Sequence, residues 1–138
     1  MNADIALIEE ALRQRLQAEI TEVAVEPYPA NPDLYRLTHP VGALLIGYAG
    51  SDYGEPVNGI QEQTMRWVLT LLMQGLHTHA NNYPSLHQAR DVLTGWKPAG
   101  CRSGLSIVSD NFVGQADGVW QWDLVFKGTA WYRHAVCC

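Results

Sequence analysis

The chain has 138 residues and a mass of 15.3 kDa, the size of one domain that can bury about two-thirds of its surface without disulfides or a structural metal. It is 47% hydrophobic and 17% charged, with nine basic residues against fourteen acidic ones and a net charge of −5, which is a globular balance and not a disordered one. No apolar run reaches the roughly 18 residues of a membrane span, and no basic-then-apolar leader opens the chain, so a soluble, unexported domain is expected. Lys97 and Lys127 are the only lysines, and no window carries a basic cluster. That speaks against tight nucleic-acid binding, though not against DNA passing an acidic surface.

The pattern opens with an amphipathic helix over residues 3–19, with Ile5, Ile8, Leu12 and Leu16 on one side and Glu9, Glu10, Arg13, Arg15 and Gln17 on the other. Asn2 or Asp4 is its expected N-cap. Residues 21–28 alternate as a short strand that ends at Pro27 and Pro29, because proline cannot donate to a ladder. Residues 27–40 hold four prolines and read as a loop. Residues 41–48 form a continuous apolar run, expected to be a buried strand. The polar, glycine-rich stretch 50–59 is expected to be a loop with no ordered element of its own.

Residues 60–76 fit two periods. Ile60, Thr64, Trp67, Val68, Leu71, Leu72 and Leu76 make a helical stripe, while Trp67, Leu69, Leu71 and Met73 share one side of a strand. A second helix is expected from Pro84 through Leu93, with Gly95 as its stop. Residues 96–104 read as a loop and 105–113 as a strand. Asp117-Gly118 marks a tight hairpin, and residues 119–132 form a strand with Trp120, Trp122, Leu124 and Phe126 on one side. A mixed sheet with helices packed on one side is the economical architecture.

Chemistry is sparse. His77, His79 and His87, with Asp91, are the one group that resembles an open zinc site, yet the spacing is not that of a metal-binding helix. Solvated loop histidines are the simpler account. Cys101, Cys137 and Cys138 are an odd set without paired spacing, expected to be reduced thiols. No serine sits in a nucleophile elbow, and neither glycine-rich stretch forms a phosphate-binding motif. Neither enzyme activity nor a cofactor is therefore expected. Trp120 and Trp122 read as core, whereas Trp131, Tyr132 and Trp96 suit anchors for a partner. The long loops 27–40 and 49–60 exceed ordinary connections and suit binding surfaces.

Taken together, IEEALRQRL, EVAVEPYP, VGALLIGYAGSDYG, QEQTMRWVL, LTGWKPAG and SDNFVGQADGVWQWDLVF resemble the tail-terminator (tail completion) proteins of tailed bacteriophages. The resemblance is to the Mu-like prophage branch, related in fold to the lambda tail-terminator protein, and covers nearly the whole chain. It implies that residues 63–73 are a strand. The implied fold is a single two-layer α+β domain over residues 1–138, in the order α-β-β-β-α-β-β, with a mixed, mainly antiparallel sheet covered by two helices. The implied role is a structural virion protein, forming a homo-oligomeric, hexameric ring on the head-proximal end of the tail. Such a ring ends tail-tube polymerisation and offers the head-joining surface. Its partners would be the tail-tube protein, the sheath of a contractile tail and a head-completion or connector protein. DNA would pass through the lumen, and assembly would take place in the host bacterial cytoplasm. Asp52, Tyr53, Glu55, Tyr35, Arg36 and Trp96 are the interface candidates, from the two long loops and the loop after the second helix. The alternatives are another minor tail or head–tail joining component, or a small metal-binding hydrolase or ligand-binding domain built on His77, His79 and His87. The histidine-bearing stretch 77–87 and the Cys137-Cys138 ending have no counterpart in the resemblance.

Overall fold

Asp4 starts the first helix, α1 (Ile5–Glu19), as the sequence predicts: its carboxylate accepts from the backbone N–H groups of Ala6 at 3.0 Å and Leu7 at 3.3 Å. That bond satisfies donors the first turn cannot pair internally. Ile8, Leu12 and Leu16 form its buried stripe. The second helix, α2 (Tyr83–Leu93), has Pro84 in its first turn and buries Leu86, Ala89 and Leu93. Gly95 follows at φ 82°, a left-handed stop that glycine adopts without a Cβ clash. The computed structural model describes residues 2–32, 35–75 and 82–134.

Five strands complete the fold: β1 (Ala24–Pro27), β2 (Gly42–Tyr53), β3 (Ile60–Gln74), β4 (Ser106–Ala116) and β5 (Val119–Arg133). They form one sheet in the order β1-β2-β3-β5-β4. β1 runs parallel to β2, and every other pairing is antiparallel. The expected α+β architecture and element order are thus found.

Leu76 of the ambiguous stretch 60–76 lies outside the described residues, while residues 60–74 are the strand and pair along that length with β5. Its odd-numbered side, from Gln63 to Met73, is buried. Trp67 lies opposite Phe126 and Leu69 opposite Leu124, and all four are inaccessible to solvent. With Leu44 and Ile46 they meet the stripes of both helices in one core. Among the described residues, the even-numbered side of β3 carries no helix. Part of it lies under Tyr28, Pro29, Pro32 and Tyr35, which face Leu45, Thr70, Leu72 and Gln121. Apolar residues are needed on both sides of this strand, which is why its sequence shows no single stripe.

The expected loop 49–60 is corrected. β2 runs on to Tyr53, because residues 50–53 pair with residues 63–66 of β3. The register shifts between Tyr48 and Gly50, and Gly50 takes φ 124°. A bulge with glycine at positive φ absorbs the extra residue and lets a polar stretch stay in the ladder. Beyond it, Val57 and Ile60 exchange backbone hydrogen bonds of 2.8 and 3.0 Å across Asn58 and Gly59. Both turn residues have positive φ, 53° and 77°, the two-residue turn that matches strand twist. The β4–β5 turn repeats the device at Asp117 (φ 53°) and Gly118 (φ 78°), as predicted.

Candidate functional site

The β2–β3 hairpin, the end of β5 and the N-terminal segment meet at one end of the sheet around a groove of about 720 Å³. Asn2 holds the segment there. Its amide donates to the Arg133 carbonyl at 2.9 Å, and its carbonyl accepts from the Arg133 N–H at 2.7 Å. One side chain thereby pairs with β5 where β4 has already ended. Val57, Ile60 and Trp131 supply the apolar lining, with Glu55, Glu62 and Arg133 among the charged residues around them. Val57 and Trp131 are respectively 67% and 50% exposed.

Arg102 braces the same end. Its backbone N–H donates to the Thr129 carbonyl at 2.7 Å, its guanidinium lies 3.8 Å over the Trp131 ring, and it forms an ion pair with Glu62. A planar cation suits both contacts, stacking on the indole while its N–H groups reach the carboxylate. Among the described residues no serine, threonine or cysteine lines the groove, whose surface is apolar and flanked by charge.

The interface residues expected from the sequence divide. Asp52 and Tyr53 lie on β2 and not in a loop; Asp52 pairs with Arg66, and Tyr53 meets the Tyr132 ring edge-on at 5.6 Å. Glu55 is exposed on the groove. Tyr35 lies over the helix-free side of the sheet, and its hydroxyl donates to Glu26 at 3.0 Å. Burial, and then this bond, push its pKa up to about 12. Arg36 beside it is exposed. Trp96 is half-buried and packs on the core. Arg15 lies 5.0 Å over its ring and donates to the Val92 carbonyl at 2.8 Å, so this tryptophan joins the two helices.

His77 and His79 lie outside the described residues, as do Cys137 and Cys138. His87 is exposed and stacks near Tyr83, with ring centroids 6.5 Å apart. Asp91 bonds to Arg90, and that hydrogen bond lowers its pKa. Among the described residues no three His, Cys, Asp or Glu side chains stand close enough to hold a metal ion. Burial raises the pKa of the Cys101 thiol, keeping it protonated. Trp120 and Trp122 pack against the core and meet Phe112 at 5.7 and 5.1 Å.

The groove itself was not foreseen. Asn58-Gly59 is as plain a hairpin signal as Asp117-Gly118, and it would have placed Val57 and Ile60 at a turn. The neighbourhood of Trp131, Glu62 and Arg102 depends on strand register, which no local pattern fixes.

Residues 12–133 match the Gp37 family, described as Gp37 protein. The chain belongs to the Gp37 family. Among curated proteins nothing matches. One solved structure with the fold of this Gp37-family chain is a protein from the virion of a native gene transfer agent particle, at TM-score 0.68 and 17% identity. The superposition covers 94% of this chain and 98% of the other. Both helices and the sheet therefore belong to a shared fold.

Proposed function

We propose that this protein is a structural component of a phage-like virion, a ring that caps the head-proximal end of the tail. The ring stops tube polymerisation there and presents the surface that joins the head. The observation that carries this reading is the near end-to-end likeness to a chain of a gene transfer agent virion. Gp37-family membership and the tail-terminator resemblance of the sequence support it. In this reading the protein is not an enzyme and holds no cofactor. A tube is an open stack, whereas a ring is a closed set of head-to-tail contacts, hexameric in the tail-terminator family. Termination requires one face that docks on the last tube layer and another that refuses a further layer. The helix-free side of the sheet, the segment 28–40 and the groove are the surfaces available for those tasks.

The test is to remove the protein from a particle-producing strain and image the products. Tails of uncontrolled length without heads are expected, with normal particles restored by the wild-type chain. Normal-length tails that fail to join heads would instead favour a separate joining component. Intact infectious particles would refute both roles.

A further inference from the structure

Asn58 is the only asparagine of the chain that precedes a glycine, and it does so at the tip of the β2–β3 hairpin. Both residues are exposed. The turn is closed by the N–H groups of Val57 and Ile60, each bonded to the other's carbonyl, and the Gly59 N–H takes no part in that closure. Neither this N–H nor the Asn58 carboxamide has a hydrogen-bond partner among the described residues. Nothing lies within 4 Å of where a Gly59 Cβ would stand, so the nitrogen lacks the cover that a side chain gives it in other residues. A side-chain carboxamide and the nitrogen of the next residue can close a five-membered ring, and here both are free to do so.

The other described asparagines are held or shielded. Asn2 uses both ends of its carboxamide on Arg133. Asn31 precedes Pro32, which has no N–H to lose. Asn82 is 2% exposed and precedes Tyr83. Asn111 lies within β4 before Phe112, and its amide donates to the Ser109 hydroxyl at 3.2 Å.

We propose that Asn58 is a site of spontaneous deamidation, and that the modification remodels one wall of the groove. Hydroxide takes the Gly59 N–H proton, and the nitrogen attacks Cγ of Asn58. The Cγ–Nδ2 bond breaks, Nδ2 leaves as ammonia with a proton from water, and a cyclic imide remains. One water then opens either carbonyl–nitrogen bond of the ring. Opening at Cγ gives aspartate at position 58 with the ordinary backbone. Opening at the main-chain carbon gives isoaspartate, whose backbone runs through the side chain and is one methylene longer. Either product adds a carboxylate to the groove that Glu55 already lines.

The fold treats the two products differently. Aspartate fits, as the β4–β5 turn shows: Asp117 before Gly118 has φ 53°, the same angle as Asn58 before Gly59. Isoaspartate does not, because a two-residue loop has no place for an added backbone atom. The 2.8 and 3.0 Å bonds between Val57 and Ile60 cannot both persist, and these two residues carry apolar lining of the groove.

The proposal is independent of the tail-capping reading, and its test is chemical. The purified full chain is kept for weeks at about pH 7 and about pH 8, with a parallel sample in urea, and mapped by peptide mass spectrometry with fragmentation that separates the isomers. A gain of about 1 Da confined to the peptide that holds Asn58 is expected, as both isomers, and severalfold faster at the higher pH because the attacking nitrogen must be deprotonated. Gly59→Ala should slow the gain about tenfold or more by covering that nitrogen. Asn58→Gln, which would need a larger ring, should abolish it and serves if Gly59→Ala loses the wild-type melting curve. Asn58→Asp should melt as the wild type does, whereas the isoaspartate fraction should exchange the amide protons of residues 57–60 faster. A chain whose Asn58 converts in urea but not when folded overturns the proposal, as does equal conversion at Asn2 or Asn111. Wild-type exchange at 57–60 in the isoaspartate fraction overturns the remodelling.

Discussion

Arg102 shows how much one side chain can join. Through Trp131, Glu62 and the Thr129 carbonyl it ties the loop after α2 to β3 and β5. The ion pair is more than a third exposed on both sides, so solvent screens it and the cation–aromatic contact dominates. Arg102→Ala should cost about 1 kcal/mol in urea denaturation, and Arg102→Lys should recover only part because an ammonium cannot stack. Tyr35 offers a pH signature. Its phenol ionises near 12 in the folded chain, above its ordinary value of 10, so the folded state holds this proton while the unfolded state has lost it. The stabilisation is complete below about pH 10 and is lost as the pH rises toward 12. Ultraviolet titration should show one tyrosine ionising late, and Tyr35→Phe should remove that phase. Neither arrangement was legible beforehand. Arg102 and Trp131 are 29 residues apart in sequence, and the tryptophan looked like a free anchor until its cation was seen. Trp96 misled in the opposite sense: its glycine- and proline-rich surroundings suggested exposure, while Arg15 and the core claim it.

Both helices and the β4–β5 turn were readable because their signals are local: Asp4 before an apolar stripe, Pro84 and Gly95 around α2, Asp117-Gly118 between β4 and β5. Local pattern did not decide β3, which the family resemblance gave as a strand, because a strand covered on both sides carries apolar residues on both and imitates a buried helix. The tail of β2 was missed because backbone pairing with β3, not side-chain character, keeps it extended. Glycine at 59 is a test of the hairpin beyond it. A Cβ there would touch nothing within 4 Å, but the backbone sits at φ 77°, so Gly59→Ala should cost about 1 kcal/mol from conformation alone. Gly114 on β4 is equally open and has no positive φ. Gly114→Ala should therefore stay within about 0.5 kcal/mol of wild type in the same thermal melts.

For the whole molecule, folding and assembly place separate demands on the surface. Asp52 and Glu55 stand at the groove end of β2, and the Asp52–Arg66 pair is largely exposed, worth at most about 1 kcal/mol. Reversing both charges should leave the circular-dichroism melt of the subunit nearly unchanged while lowering the yield of joined particles. Normal particle yield would remove this end of the sheet from the joining surface.

The strand order has a consequence for synthesis. β5 is the last strand in sequence but lies inside the sheet, between β3 and β4, and supplies Leu124 and Phe126 to the core. While it is still within the ribosome, β4 has no neighbour and β3 has one bare edge. The sheet and its core therefore close only once β5 has emerged.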